Sequence, residues 1–308
     1  MGRYIRKRLL QAVPVVFGIT ILTFFIMKMA PGGPLTGMIS PRTSSESLQR
    51  AREALGLNDP IIVQYWNWLK QLVQGNFGYS TYNGQAVLTE ILDRLPATLL
   101  LTITSFVISF VVGIPLGVYS ATHKYSKAIS IPSFFFGMGL IFVFALKLKW
   151  LPTSGFGSST FNGEGMALIL HKLKYLIMPA LVMSLSNLAT VMRFARSSMI
   201  ETLNQDYVRT ARAKGLSEKV VIYKHALKNS MIPVITIFGQ SIPNLFGGAY
   251  ITEKVFGWPG MGLLGVDAIN NRDYQMLMGL TLFTAILVLL GNLLADIMYS
   301  FVDPRIRY

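Results

Sequence analysis

The stretch Glu201–Pro233, ETLNQDYVRTARAKGLSEKVVIYKHALKNSMIP, lies between two long apolar runs of a chain whose mean hydropathy is +0.48. It carries six Lys/Arg residues but only three acidic ones, and Gly215 stands near its middle. Most of its residues favour helix, whereas the flanking runs are apolar enough to enter a membrane. This basic, helix-prone segment between two apolar runs therefore determines how the sequence is divided into membrane spans and loops.

The composition of the chain is unlike that of a soluble domain. Charged residues make up 14% of its 308 residues, whereas about 25% is usual, and hydrophobic residues make up 52%. The absence of cysteine excludes disulfides and thiolate sites, and the three histidines show no zinc-ligand spacing. The formal net charge of +14 suits either nucleic-acid binding or basic segments gathered on one side of a membrane.

The chain begins with MGRYIRKRLLQAVPVVFGITILTFFIMKMA, a basic head followed by an apolar run. The run of about 20 residues exceeds the usual signal-peptide core of about 7–15, and no A-x-A site follows it. Arg6 stands where N-myristoylation requires Ser or Thr. We therefore expect an uncleaved first membrane span.

Six segments are apolar enough to cross the hydrocarbon core, which is roughly 30 Å thick and takes about 20 helical residues. Because backbone groups in lipid must be hydrogen-bonded internally, each segment is expected to be α-helical. The segments are residues 9–29, 97–121, 129–148, 175–194, 233–251 and 276–301. The sequence thus predicts an all-α, polytopic membrane protein with six transmembrane helices.

The distribution of charges predicts the orientation of these spans. The segments 1–8, 122–128, 193–229 and 302–308 contain 4, 2, 8 and 2 Lys/Arg residues, which is 16 of the 28 in the chain. Only four of the 14 acidic residues lie in them. Since Lys and Arg collect in short cytoplasmic loops, we expect both termini and the basic insert in the cytoplasm. The same distribution argues against nucleic-acid binding.

The expected outer loop, residues 30–95, has helical patterns of its own. A helix led by Ser45 should stop at Gly56, and Asp59 should cap a second helix that starts at Pro60 and closes at Gly75. One face of the second helix is apolar, with Ile62, Tyr65, Trp66, Leu69, Leu72 and Val73. This face suits either the membrane interface or an extracytoplasmic partner.

Polar side chains recur within two of the expected spans. They are Thr236, Gln240 and Asn244 in the fifth span, and Ser184, Asn187 and Thr190 in the fourth. Each set is expected on one helical face, and an amide that faces lipid is costly. The sets could join packed helices or line a solute path. We favour the path for the fifth span and leave both interpretations open for the fourth.

Three further features within the spans have structural interpretations. Gly113 and Gly117 form a small-residue pattern that favours close helix packing. Pro243 and the following glycine pair allow a local break in the fifth span. Asp296 lies one or two turns inside the membrane, where Arg193 or Asn292 could be its partner.

Motifs for catalysis or nucleotide binding do not occur in the sequence. G-x-x-x-x-G-K-[ST], H-E-x-x-H and G-x-S-x-G are all absent. The chain is therefore not expected to be an enzyme, nor to bind a cofactor or metal. If the protein uses ATP, a different chain binds it.

The opening stretch reads as two helices joined by a glycine. Residues 206–214, DYVRTARAK, suit a short helix with an acidic start and a basic end. Gly215 can take the left-handed conformation that ends a helix, and Ser217 can cap the second helix. A simple positive-inside loop would explain the charge but neither the length nor the apolar positions. We interpret the stretch as a rigid element that meets a cytoplasmic partner.

The sequence QDYVRTARAKGLSEKVVIYKHALKNSMIPV resembles the cytoplasmic EAA loop of permease subunits in peptide/nickel-type ATP-binding-cassette (ABC) importers. The resemblance covers nearly the whole chain, including APGGP, GLNDPIIVQYWNWLKQLVQGNFG, VFGWPGMGLLGVDAINNRDY and DPRIRY. It is nearest to the oligopeptide/dipeptide B-type subunits. Arg209, Thr210 and Ala211 replace Glu-Ala-Ala ahead of Gly215, a variant typical of this subfamily. Gly33 stands where the first-span signature often has Asp, so no role is carried over for that carboxylate.

The resemblance implies the transmembrane domain of a type I ABC importer in the cytoplasmic membrane of a prokaryote. A homologous permease, two cytoplasmic ABC ATPases that hold ATP and Mg²⁺, and an extracytoplasmic solute-binding protein would be its partners. Carried over residue by residue, the ATPase-coupling positions are Asp206, Tyr207, Arg209, Thr210, Ala211, Arg212, Lys214, Gly215 and Leu216.

The same resemblance divides the chain into functional parts. These are a tail and first helix at 1–29, an extracytoplasmic loop at 30–95, a core at 96–302 with its coupling loop at 197–229, and a cytoplasmic tail at 303–308. The implied solute is an oligopeptide or dipeptide, with nickel chelates, glutathione and oligosaccharides as alternatives. A stand-alone channel or secondary transporter would be favoured by inverted repeats, and none is evident.

Overall fold

The computed structural model describes residues 2–29, 45–54, 56–122, 133–157, 161 and 163–302. An isolated antiparallel bridge between Tyr79 and Ala86 is the only β pairing in these ranges, so the expected all-α fold is confirmed. The expected tail at 303–308 and Gly33 lie outside the described residues. The helices are α1 (Gly2–Met29), α2 (Ser45–Ala54), α3 (Ile61–Val73), α4 (Val87–Thr122), α5 (Ser133–Leu140), α6 (Met166–Leu203), α7 (Asp206–Ala213), α8 (Glu218–Val220), α9 (Leu227–Ser241), α10 (Tyr250–Val255), α11 (Met261–Asn270) and α12 (Tyr274–Val302).

Four helices are long and apolar enough to cross a membrane, and they match the first, second, fourth and sixth expected spans. Their apolar segments are Arg6–Met29, Val87–Thr122, Met166–Leu203 and Tyr274–Met298. At 1.5 Å per residue, α4 and α6 are ~54 and ~57 Å long, well beyond the hydrocarbon thickness. Both therefore project past the membrane, and α4 begins inside the segment expected to be an outer loop.

The other two expected spans are not single long α-helices. In the third, the structure describes α5 followed by a π-helical turn, Ile141–Lys147, while residues 123–132 lie outside the description. The fifth, from 233 to 251, is interrupted after α9 by a 3₁₀ turn, Pro243–Phe246, at the position where the sequence allowed a local break. Proline lacks an N–H and crowds the preceding turn, and Gly248 then adopts φ +71°.

The helices α4 and α6 pack closely because small residues face one another. A Cβ atom on Gly117 would lie 2.6 Å from the Cβ of Ala195 and 2.8 Å from a carbonyl of α6. Gly113 approaches Val191 in the same way, with a separation of 3.1 Å. Ser109 also donates a hydrogen bond across this interface to the carbonyl of Ser184 at 2.9 Å. The packing role predicted for the two glycines is confirmed.

Four hydrophobic clusters follow one another along α4 and join it to the rest of the molecule. Each contains α4 residues together with side chains from a different set of neighbours. They are centred on Val87 and Ile91 against α11 and α12, on Leu101 against α6 and Trp258, on Phe106 and Phe110 against α6 and α9, and on Val118 against α6 and α7. The helix α4 therefore contributes to the core along its whole length and lies at the centre of the fold.

The amphipathic helix α3 rests on α1. Tyr65 and Trp68 are buried against Phe24, and the hydroxyl of Tyr65 lies 2.9 Å from that of Thr20. Part of the predicted apolar face is therefore used within the chain, whereas Ile62, Trp66 and Val73 remain exposed. The predicted N-cap is wrong by one residue: Pro60 precedes the helix, and no side chain caps it.

Asp296 pairs with a residue that the sequence did not suggest. Its carboxylate lies 3.0 Å from the Nε of Arg8, near the start of α1, rather than against Arg193 or Asn292. The pairing arises because α1 and α12 pack side by side, a tertiary contact between the two ends of the chain. Their basic and acidic side chains thereby meet at one end of the two helices.

Candidate functional site

The element formed by residues 206–226, called here the helix–Gly–helix element, has the predicted local structure. The first helix, Asp206–Ala213, ends at Lys214, and the N–H of Gly215 donates to the carbonyl of Arg212 at 2.9 Å. Gly215 has φ +75°, which is the left-handed conformation expected from the sequence. The second helix starts with α8 and continues through a π turn, Val221–Ala226, into α9.

The element is anchored to the long helices by its inner face. Val208 and Ala211 are buried, and they pack with Val118 of α4, Met199 of α6 and Val221. Ala211, predicted as a coupling residue, therefore faces the interior of this chain. Because the anchoring contacts come from both long helices, a movement of either helix would carry the element with it.

Two polar contacts fix the angle between the two helices of the element. Arg212 donates to the carboxylate of Glu218 across the glycine turn, with a shortest distance of 2.7 Å. This hydrogen bond lowers the pKa of Glu218 below its ordinary value. Asn229 donates to the hydroxyl of Tyr207 at 2.9 Å, which links α7 to α9.

The outer face of the element combines charged and apolar side chains. Asp206 and Arg209 are 97% and 73% exposed, and Lys214 is also exposed. Large apolar side chains are exposed beside them, namely Tyr207, Leu216, Val220 and Tyr223. Apolar groups at an exposed glycine turn are typical of surfaces that contact another protein.

Thr210 and Ser217 form hydrogen bonds within the element. The hydroxyl of Thr210 donates to the carbonyl of Asp206 at 3.0 Å, one turn earlier in α7. Ser217 has the extended backbone of an N-cap residue and its carbonyl accepts from Val221, but its side chain makes no capping hydrogen bond. The predicted position of the second helix start is confirmed, while the predicted side-chain cap is wrong.

The polar stripe of the fifth expected span lies on the surface of this chain. Gln240 and Asn244 are exposed, and Thr236 is half-buried. Asn244 belongs to the 3₁₀ turn that follows α9, so the stripe crosses from regular helix into the break at Pro243. Ile237, on the neighbouring face of α9, packs instead against the cluster of Phe106 and Phe110.

The polar residues of the fourth expected span do not share one environment. Ser184 is buried and its carbonyl accepts a hydrogen bond from Ser109, whereas Asn187 and Thr190 are exposed. The physical reason is helical geometry: each step of three residues falls short of a full turn by about 60°. Ser184 and Thr190 are therefore about 120° apart, and the expected common face is wrong for Ser184.

Glu253 is a buried carboxylate that reasoning from the sequence missed. Its side chain is fully buried, and its two oxygens accept the N–H groups of Ala249 at 3.1 Å and Leu263 at 2.7 Å. It thereby joins the starts of α10 and α11. A Cβ atom on Gly260 would lie 2.4 Å from this carboxylate, so only glycine fits there. The motif VFGWPGMGLLGVDAINNRDY, which carries part of the resemblance, begins two residues after Glu253 and contains Gly260 and Leu263.

Burial and hydrogen bonding act in opposite directions on this group. Glu253 follows the fifth expected span, and its burial raises the pKa of the carboxyl above its ordinary value. The N–H groups of Ala249, Leu263 and Gly262 partly offset that effect because they stabilise the ionised form. Nearby, Trp258 is buried and donates to the carbonyl of Ala97 at 2.9 Å.

Asp273 is a second buried carboxylate at the same end of the molecule. It accepts hydrogen bonds from the hydroxyl of Ser80 at 2.5 Å, from Thr81, and from the N–H of Met276 in the first turn of α12. It therefore caps α12 and fixes the loop that precedes α4. Within the described ranges, no three His, Asp or Glu side chains are grouped so that they could hold a metal ion.

The long apolar helices and the exposed basic element define a class: a multi-pass helical membrane protein. The sequence profile described as "binding-protein-dependent transport system inner membrane component" matches residues 113–308, and that of its N-terminal region matches residues 1–102. The chain therefore belongs to the family of inner membrane components of binding-protein-dependent transport systems. It is a multi-pass permease component of the cytoplasmic membrane, not an enzyme.

Three relatives carry informative descriptions and align over essentially their full lengths. The chain is 46% identical to the oligopeptide transport system permease protein AppB of Bacillus subtilis, with 100% of each chain covered. It is 40% identical to a putative peptide permease of Brucella ovis, over 100% of this chain and 99% of that one. It is 37% identical to the glutathione transport system permease protein GsiC of Escherichia coli K12, again with 100% of each chain covered.

Proposed function

We propose that this chain is one of two transmembrane subunits of an ATP-driven importer of oligopeptides or dipeptides. The full-length similarity to a permease described as an oligopeptide transport component supports this solute class. The homologous second permease, two ABC ATPases that bind ATP and Mg²⁺, and an extracytoplasmic solute-binding protein complete the assembly. The domain is of the type I ABC importer kind, with both termini in the cytoplasm.

The proposed topology has six spans. Besides the four long helices, the third span comprises the residues around α5 and its π turn, and the fifth comprises α9 with the 3₁₀ turn. The interruption at Pro243 is compatible with a span that lines a cavity, since non-helical backbone at membrane depth is tolerated there. With the N-terminus inside, this count places residues 197–229 in the cytoplasm and residues 30–95 outside.

The observation that carries the proposed coupling role is the two-sided helix–Gly–helix element. Its inner residues, Val208 and Ala211, are packed against both long helices, while Tyr207, Leu216 and Tyr223 are exposed on its outer side. Such an element can transmit a movement of a cytoplasmic ATPase to the long helices α4 and α6. Asp206, Arg209, Arg212 and Lys214 add charges that would fix its register on the partner.

The proposed translocation path includes the exposed amides of Gln240 and Asn244, together with Thr236. Asn187 and Thr190 of α6 are further candidates because they are exposed. Ser184 is better explained as a packing residue, since it is buried against α4. The amides are too polar to face lipid at low cost, which supports a location facing water or the sister permease.

The test is to purify the tagged chain from its host membrane and identify the subunits that accompany it. We expect a homologous permease and ABC ATPases to co-purify. Reconstituted in liposomes, the complex should take up a labelled oligopeptide only with ATP and loaded binding protein. Recovery of the chain without ATPases, or uptake that needs no ATP, would contradict the proposal.

Glutathione is a second candidate solute, because a relative with 37% identity is described as a glutathione permease. The choice depends on the binding protein as well as on this chain. The same liposomes should therefore be supplied with labelled glutathione and with labelled peptide. Uptake of glutathione alone would replace the peptide assignment while leaving the importer assignment intact.

A further inference from the structure

A groove of about 340 Å³ lies between α1 and α12, the first and last described helices. Its wall has polar side chains at one end only, where Arg8, Gln11, Asn292 and Asp296 meet. The remaining wall is apolar and includes Val15, Val16, Ile286, Leu289 and Leu290. A solute path would need polar groups along its length, so this groove does not suit a hydrophilic solute.

The dimensions of the groove match one leaflet of a bilayer. On α1 it extends from Arg8 to Val16, and on α12 from Ile286 to Asp296. At 1.5 Å per residue, these segments are ~12 and ~15 Å long. Half of the hydrocarbon core is also ~15 Å. The polar end therefore lies at headgroup depth when the apolar end is at the middle of the membrane, so Asp296 is nearer the interface than the sequence indicated, beside Arg8.

The charges at the polar end form a pair of opposite signs. The Nε of Arg8 and a carboxylate oxygen of Asp296 are 3.0 Å apart, and the two side chains are 46% and 22% exposed. A guanidinium is a geometric match for a phosphate, and a carboxylate accepts hydrogen bonds from an ammonium group. Both charges are thus presented side by side at the membrane interface.

We propose that this groove binds a phospholipid with a primary-ammonium headgroup, such as phosphatidylethanolamine. Its phosphate contacts Arg8, its ammonium group donates to Asp296, and one acyl chain lies along the apolar wall. A headgroup without an ammonium group leaves Asp296 facing a phosphate. A choline headgroup has the charge but no N–H donor. The inference does not depend on which solute is transported.

The test measures lipid bound to the full-length chain, purified in detergent in its complex, by native mass spectrometry. Phosphatidylethanolamine, phosphatidylcholine and phosphatidylglycerol with identical acyl chains are added in equal amounts. We expect about a tenfold preference for phosphatidylethanolamine, because a hydrogen bond to a charged group is worth that factor or more. Equal retention of the three lipids would overturn the proposal.

Variants separate the groove from general lipid adhesion. Asp296→Asn should remove the preference for phosphatidylethanolamine over phosphatidylcholine, while Asp296→Glu should keep it. Ala12→Phe fills the groove and should remove the bound lipid, whereas Val13→Phe, outside the groove and exposed, should not. An unchanged preference in Asp296→Asn would overturn the headgroup assignment. Loss of a co-purifying permease in Ala12→Phe, without any lipid preference in the parent chain, would assign the groove to a protein partner instead.

Discussion

Replacing Gly215 by valine isolates the role of the turn in the helix–Gly–helix element. The residue has φ +75°, and a Cβ atom placed on it would meet nothing within 4 Å. The added Cβ therefore meets no neighbour, and we expect the cost to come mainly from the backbone. An L-residue in the left-handed region costs about 1–2 kcal/mol, and a β-branched one is the least suited to it.

That cost is comparable to or larger than the ion pair that spans the turn. The ion pair between Arg212 and Glu218 spans the glycine but is exposed, so it contributes about 0–1 kcal/mol. Strain of 1–2 kcal/mol shifts an equilibrium by roughly 5–30-fold. The native angle of the turn should therefore be less populated, while Val208, Ala211 and Val221 keep both helices packed against α4 and α6.

The assay is ATP hydrolysis by the reconstituted complex, measured with and without loaded binding protein. In Gly215→Val we expect the stimulated rate to fall by roughly 5–30-fold, with unchanged membrane insertion and subunit assembly. Gly215→Asn should be milder, since Asn tolerates the left-handed region.

Gly75→Val is the matched control for this experiment. Gly75 has φ +80° and an equally open surrounding, but it ends α3, away from the helix–Gly–helix element. Its strain should leave the stimulated rate unchanged. Full stimulation in Gly215→Val, together with normal uptake, would refute the coupling role of the turn.

Three further predictions concern packing, charge and the proposed path. Gly117→Leu should force α4 away from α6 and lower the stability by at least about 1–3 kcal/mol, measured as a lower thermal midpoint in detergent. The control is Gly18→Leu, because a Cβ atom on Gly18 would meet nothing within 4 Å. Because burial raises the pKa of Glu253, this carboxyl holds its proton more tightly in the folded protein than in the unfolded chain. The resulting contribution to stability is present below the ordinary carboxyl pKa and is lost as pH rises through the raised pKa. Thermal midpoints measured against pH should therefore decline over that window in the parent chain and not in Glu253→Gln. Cysteines at Gln240 and Asn244 should react with a water-soluble thiol reagent faster than a cysteine at Ile237, and equal rates would contradict the path assignment.

The parts of the fold that depend on local chemistry could be predicted from the sequence. The long helices follow from hydropathy, and the stop at Gly215 follows from a glycine between two helix-forming segments. The close packing at Gly113 and Gly117 follows from their spacing. Each of these predictions uses residues that are neighbours along the chain.

The parts that depend on tertiary contacts could not be predicted. Asp296 found its partner in Arg8, at the opposite end of the sequence, because α1 and α12 lie together. Glu253 reads as an ordinary polar residue after a span, and only the fold reveals that two helix starts donate to it. Ser184 was grouped with exposed residues because spacing alone ignores which face of α6 meets α4.

The central helix α4 gives a physical route between the two ends of the molecule. Near the start of α4, Thr98 accepts a hydrogen bond from the N–H of Met261, in the segment held by Glu253. Near its end, Val118 packs with the helix–Gly–helix element. The twenty residues between them correspond to ~30 Å of helix, which is the thickness of the hydrocarbon core. Over this length α4 is one continuous helix, with Pro115 near its end, and Gly113 and Gly117 pack it tightly on α6. We therefore expect a displacement of the element at Val118 to reach the Met261 segment through α4 itself, without an intermediate side-chain relay.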